Sequence, residues 1–316
     1  MPSLTLTDAA LPMATLPNTF ILGAAKSGTT SLYDYLRQHP NVYMSPVKEP
    51  RFFAYAEHPP AMVGPGDEAS NREAGAVYTL EAYQELFAGA TTESIIGEAS
   101  PVYLYDAAAP RLLRRHSPDA QLLALLLNPL ERGHSHFLHL LQSGREPLRD
   151  FEAALEAEDE RVAEGWEWSW HYCRMGFYGQ QLARYLERFD REQLHVYRFE
   201  ALKDDAVGLA QQIFRDLGID DSVVPETGVR RRATGVPKLA WLHRFIGNPD
   251  HPLRRWSRAV LPEAVRDRIL TSVKNANLEK PPLPDAARAR LAEVYRDDLD
   301  RLGALLGRDF SDWLER

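Results

Sequence analysis

One cysteine, Cys173, stands in 316 residues, so the chain cannot build a disulfide framework within itself, and a reducing compartment is the expected setting. Long apolar runs are missing as well: no stretch of about eighteen apolar residues occurs, so no transmembrane helix is expected. Positive charge is in deficit. Against 45 Asp and Glu stand 37 Lys and Arg, a net charge of −8, which argues against a general affinity for nucleic acid or an anionic membrane surface. The opening residues lack a basic segment, and Asp8 with two prolines breaks their apolar stretch. They read as a flexible lead-in over 1–17 rather than a signal peptide, and a cytoplasmic location is expected. No internal repeat is present.

What the chain does have is alternation. Short apolar runs at Thr19–Gly23, Ser94–Gly97, Gln121–Leu127 and Leu194–Phe199, with a weaker one at Val42–Met44, read as buried strands. Between them lie helical patterns at Thr29–Gln38, Leu80–Phe87, Ala107–Arg115, Leu130–Leu141, Gly179–Phe189 and Asp205–Leu217. Strand–helix alternation predicts an α/β fold: a P-loop-type parallel sheet flanked by helices, forming one domain over 18–316. From Lys238 onward the pattern is helical only, ending in a helix at Pro284–Leu306. The stretch 57–71, rich in Pro, Gly and Ala, reads as a mobile insertion.

The segment Gly23-Ala24-Ala25-Lys26-Ser27-Gly28-Thr29-Thr30-Ser31-Leu32 carries the strongest local signal. A strand enters a glycine-bounded loop and a helix opens behind it, a geometry that aims backbone N–H groups at one anion. Compared with the nucleotide-triphosphatase pattern, Gly23, Gly28 and Thr30 fit, but Thr29 holds the lysine slot and Lys26 lies inside the loop. The strand at Gln121–Leu127 also ends without the acidic residue that would help hold Mg²⁺. A lysine inside the loop suits a bridging oxygen on which charge builds as a bond breaks.

With these residues the chain resembles the sulfotransferase family. Lys48-Glu49-Pro50-Arg51-Phe52-Phe53, preceded by Leu36-Arg37-Gln38-His39-Pro40-Asn41-Val42, resembles its carbohydrate branch, including the heparan sulfotransferases. Gly97-Glu98-Ala99-Ser100-Pro101-Val102-Tyr103, Asn128-Pro129-Leu130-Glu131-Arg132-Gly133-His134-Ser135-His136, Gly176-Phe177-Tyr178 and Leu306-Gly307-Arg308-Asp309-Phe310 fit the same family.

The resemblance implies 3′-phosphoadenosine-5′-phosphosulfate (PAPS) as co-substrate, 3′-phosphoadenosine-5′-phosphate (PAP) as product, no metal requirement, and a carbohydrate or small-molecule acceptor. Lys26, Ser27, Gly28, Thr29, Thr30 and Ser31 would hold the 5′-phosphosulfate, with Lys26 assisting the leaving group. Glu49 would be the base and Lys48 a contact to the moving sulfuryl group. Ser135 would meet the 3′-phosphate.

One family position departs. The strand before Asn128-Pro129 usually ends in arginine, and here it ends in Leu127. Arg132, or the run Arg230-Arg231-Arg232 in a segment through Gly235 that resembles the family's nucleotide-covering loop, would supply the missing charge. The competing readings are weak donor binding and a non-catalytic relative.

Glu49 also carries a physical expectation. Pro50 biases it to an extended conformation, and Phe52 and Phe53 would desolvate it and raise its pKa. A surface pair with Lys48 is the plainer reading. His39 and His171 are alternative bases. His134, His136 and His139 lack the carboxylate or cysteine that would complete a metal site. The aromatic run Trp166, Trp168 and Trp170 either lines the acceptor cleft or packs as a strand onto the core.

Overall fold

The computed structural model describes residues 16–227, 236–237, 278–279 and 281–315. Apart from its last two residues, the expected lead-in over 1–17 lies outside them. So do Arg230, Arg231, Arg232 and Gly235.

Two compact units divide the chain. The first holds a five-stranded parallel sheet of order β2-β3-β1-β4-β5, built from β1 (Thr19–Gly23), β2 (Val42–Met44), β3 (Ile95–Ala99), β4 (Gln121–Leu126) and β5 (Leu194–Arg198). All four pairings are parallel. Parallel strands need crossovers, and predicted helices supply three of them: α1 (Thr29–Leu36) between β1 and β2, α4 (Leu80–Glu85) between β2 and β3, and α5 (Ala109–His116) between β3 and β4. The predicted α11 (Ala206–Asp216) follows β5 and packs on the sheet. Helices α2 (Phe52–Tyr55), α3 (Asp67–Ala74) and α10 (Phe199–Asp204) were not signalled by periodicity. Part of the stretch read as a mobile insertion is therefore helical.

Successive residues of β1 point to opposite faces. Ile21, Leu123, Leu125 and Tyr197 pack under Leu32 and Leu36 of α1 and Leu209, Ile213 and Phe214 of α11. On the opposite face Phe20 meets Phe53 edge-on at 5.9 Å. Each fully buried Leu, Ile or Phe adds about 1.5–3 kcal/mol. Burial on both faces explains why these strands read as continuous apolar runs.

The second unit is helical. Its α6 (Pro129–Gln142) starts where Asn128 accepts the Leu130 N–H and Pro129 fills the first turn. The acidic stretch after Asp150 forms α7 (Phe151–Glu156) and α8 (Glu158–Ala163), Asp150 capping the first by accepting from Ala153. Helix α9 (Tyr178–Leu186) begins in this unit, with the Gly179 and Gln180 N–H groups donating to buried Asp298. Asp298 lies on α12 (Asp285–Leu306), which stops at left-handed Gly307, and α13 (Asp312–Glu315) follows.

The helical-only reading beyond Lys238 needs one correction. The two-residue strand β7 (Leu278–Glu279) pairs antiparallel with β6 (Val236–Pro237), and runs that short carry no periodicity to read.

Candidate functional site

At the carboxyl end of β1 the chain turns under tight packing. A Cβ on Gly23 would meet the Leu104 Cβ at 2.9 Å and the Pro101 carbonyl at 3.0 Å. Ala24 donates to the Leu125 carbonyl at 2.8 Å, and Ser27 donates back to the Ala24 carbonyl at 3.2 Å. Lys26 sits at φ 72°, a left-handed conformation that costs a non-glycine residue about 1–2 kcal/mol. Gly28 follows at φ 85°, and α1 starts behind it with no side-chain cap and no acidic residue in its first turn. An uncapped helix start of this kind favours an anion. Lys26, Ser27, Gly28, Thr29, Thr30 and Ser31 thus share one loop and the opening turn of one helix.

Beside it, at the end of β3, lies a second turn. Ser45 donates to the Gly97 carbonyl at 2.8 Å and Glu49 donates to the Ala99 carbonyl at 3.0 Å. Ala99 pairs with Ile21 of β1, so the two turns crown adjacent strands. Open parallel sheets bind ligands at this edge.

Glu49 has φ 69° and Arg51 φ 58°. The expectation of an extended Glu49 is corrected: its N–H is taken by Ala99 while the Pro50 carbonyl accepts Val77, and this double anchorage outweighs the proline's local bias. Glu49 Oε1 lies 2.5 Å from Lys48 Nζ, and Oε2 lies 2.9 Å from Arg51 Nη2. The other arm of Arg51 donates to Asn71 Oδ1 at 2.7 Å.

The expected upward shift of Glu49 is also overturned. Burial pushes its carboxyl up, but the charges and hydrogen bonds of Lys48 and Arg51 together outweigh that and hold it at about 2. Phe52 and Phe53 put their rings against Tyr83.

Sequence reading missed two residues here, Arg51 and Glu98. Glu98 is fully buried on β3. Its Oε1 accepts from Tyr83 at 2.8 Å and Tyr103 at 2.7 Å, and its Oε2 accepts from Ser100 at 2.7 Å. Burial raises its pKa to about 7 against these three hydrogen bonds, helped by the negative charge of Glu49. The available signal was a lone carboxylate inside an apolar strand.

In the second unit, Ser135 is buried on α6. Arg132 shares that helix with zero exposure, and its Nη2 donates to the Tyr172 carbonyl. The guanidinium is committed inside the fold, which gives a physical reason against its standing in for an arginine at 127. The Leu127 carbonyl accepts from the Tyr178 hydroxyl at 2.9 Å, and its side chain is half-buried.

The histidine bases fare differently from Glu49. His39 is buried, its Nδ1 accepting from Asn41 while Nε2 faces the Asp220 carbonyl at 2.9 Å, so its ring is structural. His171 is buried and driven down to about 4, chiefly by desolvation. Of the three indoles only Trp170 is fully buried, and Trp168–Trp170 form a 3-10 turn, so the strand reading is corrected.

A model of the sulfotransferase domain matches residues 16–230. The crystal structure of a sulfotransferase from Alicyclobacillus acidocaldarius is 32% identical with a TM-score of 0.75, covering 96% of this chain and all of that one. The bifunctional heparan sulfate N-deacetylase/N-sulfotransferase 4 of Mus musculus is 24% identical over 95% of the chain, which spans 31% of that protein's length. The heparan sulfate glucosamine 3-O-sulfotransferase 6 of Homo sapiens is 26% identical over 93% of the chain, which spans 73% of that protein.

Proposed function

The chain belongs to the sulfotransferase domain family, and from that membership we propose that it moves a sulfuryl group from PAPS to a hydroxyl or amine of a carbohydrate or small molecule. The observation that carries this reading is the pair of turns on adjacent strands: Lys26 in the loop after β1, Lys48 and Glu49 in the turn docked on β3. The heparan sulfate relatives named above support a sugar acceptor.

The acceptor oxygen or nitrogen attacks sulfur in line, the bond from sulfur to the bridging oxygen of the 5′-phosphate breaks, and PAP leaves with that electron pair. Lys26 and the start of α1 stabilise the charge that builds on the leaving oxygen. Lys48 meets the sulfuryl oxygens. Glu49, ionised at every working pH, accepts the acceptor proton.

A carboxylate near 2 is a weak base toward an intact alcohol. Once the oxygen bonds to sulfur its proton becomes strongly acidic, so Glu49 suits a late proton transfer. Departure of Lys48 toward the sulfuryl group would strengthen it further.

The test supplies ³⁵S-labelled PAPS with N-desulfated heparin oligosaccharides or p-nitrophenol. Label on either acceptor, reduced at least tenfold in Glu49→Gln with PAP binding intact, is the expected result. Full turnover by Glu49→Gln removes the base assignment. A second reading, a donor-impaired or non-catalytic relative, draws on Leu127 at the family's arginine position; binding of PAP without transfer would favour it.

A further inference from the structure

A hydroxyl has one proton, so a hydroxyl that donates to a carboxylate turns its lone pairs elsewhere. Around Glu98 this decides two further bonds. Ser100 donates to Glu98 and its Oγ accepts the Arg51 N–H at 3.0 Å. Tyr103 donates to Glu98 and its oxygen accepts the Phe53 N–H at 3.2 Å. The buried carboxylate thereby sets the direction of both hydroxyls, and both serve backbone amides just beyond Glu49. One of them belongs to Arg51, whose positive φ must be held by its surroundings.

We propose that Glu98 is a positioning residue for the Lys48–Arg51 turn, fixing Glu49 through Ser100, Tyr103 and the Arg51 guanidinium. The inference rests on the reading of Glu49 as proton acceptor. The same segment also carries the phosphate loop. The backbone N–H of Ser100 donates to the Ile21 carbonyl at 3.2 Å, that of Leu104 donates to the Leu22 carbonyl at 2.9 Å, and Leu104 with Pro101 closes on Gly23. One short turn after β3 therefore sets the height of Lys26's loop and the aim of Glu49 together.

An amide at 98 would break the pattern. Its nitrogen carries two protons and no free lone pair, so the hydroxyl facing it must accept from it, and that hydroxyl's own proton loses the buried acceptor that fixed its direction. The hydroxyl is then no longer held with its lone pair on the Arg51 or Phe53 N–H, and the turn loosens.

The activity-independent test follows the Glu49 carboxyl by ¹³C NMR titration, its resonance assigned by its loss in Glu49→Gln. Ser100→Ala, which keeps the carboxylate and removes the Arg51 acceptor together with one donor to Glu98, should raise the Glu49 pKa by about one unit as the guanidinium loosens. PAP affinity should stay within about twofold. An unmoved Glu49 titration overturns the proposal.

The kinetic test is a double-mutant cycle. Glu98→Gln should lower kcat about tenfold or more with little change in donor KM, and should have almost no further effect in the Glu49→Gln background. Equal losses in both backgrounds would show a general structural role and overturn it. Should Glu98→Gln not fold, Ser100→Ala carries the same cycle with a smaller drop. Transfer unaffected by Glu49→Gln would instead sink the base reading itself, an outcome visible before residue 98 is touched.

Discussion

The carboxyls of Glu49 and Glu98 are driven in opposite directions, one held at about 2 and the other raised to about 7. They belong to one construction: the Glu49 N–H is anchored on Ala99, the residue after Glu98. Two cations neutralise the first, while three hydroxyls donate to the second. Each shift has a consequence in a different pH window.

Stability should report Glu98. Its folded pKa lies above the ordinary 4.5, so folding favours the protonated form. The stabilisation is complete below 4.5 and is lost as pH rises through about 7. Glu49 has the opposite sign, stabilising above 4.5 and losing that only as pH falls toward 2, so it is silent between pH 5 and 8. Urea unfolding at both pH values should therefore show a native-minus-Glu98→Gln difference that shrinks by about 2–3 kcal/mol from pH 5 to 8. Parallel profiles would show that Glu98 does not titrate in this window.

Turnover should rise with pH through about 7, because ionised Glu98 accepts from three hydroxyls and its acid form must donate one proton back. The groups facing it stay out of that range. Tyr83 from α4, Tyr103, and Tyr185 from α9 are all raised above the ordinary tyrosine value, and Glu49 is already ionised. His116 from α5, tilted against Phe53, is pushed below 6.5 by burial. The acid limb near 7 should vanish in Glu98→Gln, leaving a low, flat kcat profile. A native profile flat from pH 5 to 8 would contradict this.

Much of this arrangement was legible in the sequence, and the parts that were not share a cause. The strands at Thr19–Gly23 and Val42–Met44 appear with the expected bounds because burial on both faces writes itself as an apolar run. The strand–loop–helix turn after β1 was legible because Gly23 and Gly28 meet local steric demands. Glu49 was singled out, but its conformation and ionisation were misread. Both depend on partners distant in sequence: the Ala99 carbonyl takes its N–H, and Asn71 steadies the Arg51 guanidinium that holds its carboxylate. Glu98 went unassigned for the same reason, since Tyr83 approaches it from another helix. Arg132 looked available from its place in the Asn128–His136 motif; only packing reveals that it is sealed under Tyr172.

Gly28→Ala should damage fold and donor binding together. The position has φ 85°, and an added Cβ would lie 2.6 Å from Leu202 Cδ2 and 3.2 Å from Phe199 Cε2. Positive φ alone costs about 1 kcal/mol for alanine, and displaced packing against α10 adds a similar amount. A loss of about 2 kcal/mol in unfolding free energy and a clear weakening of PAP binding are expected from denaturation and titration calorimetry. Native stability with native PAP affinity would mean that the loop relaxes freely at this point.

Leu127→Arg addresses the family departure directly. Its half-buried side chain leaves room for a longer one to reach solvent, and its backbone carbonyl stays paired with Tyr178 whatever the side chain. A charge-assisted contact to the 3′-phosphate is worth about 1.5–3 kcal/mol. The variant should therefore bind PAP at least tenfold more tightly than the native chain, with AMP affinity unchanged because AMP lacks that phosphate. Thermal shift with PAP, AMP and Mg·ATP reads both, since a ligand at one hundred times its Kd adds about 2.7 kcal/mol. Equal PAP affinity in the two proteins would mean that another cation already serves the 3′-phosphate, and Arg230, Arg231 and Arg232 would be the next substitutions to make.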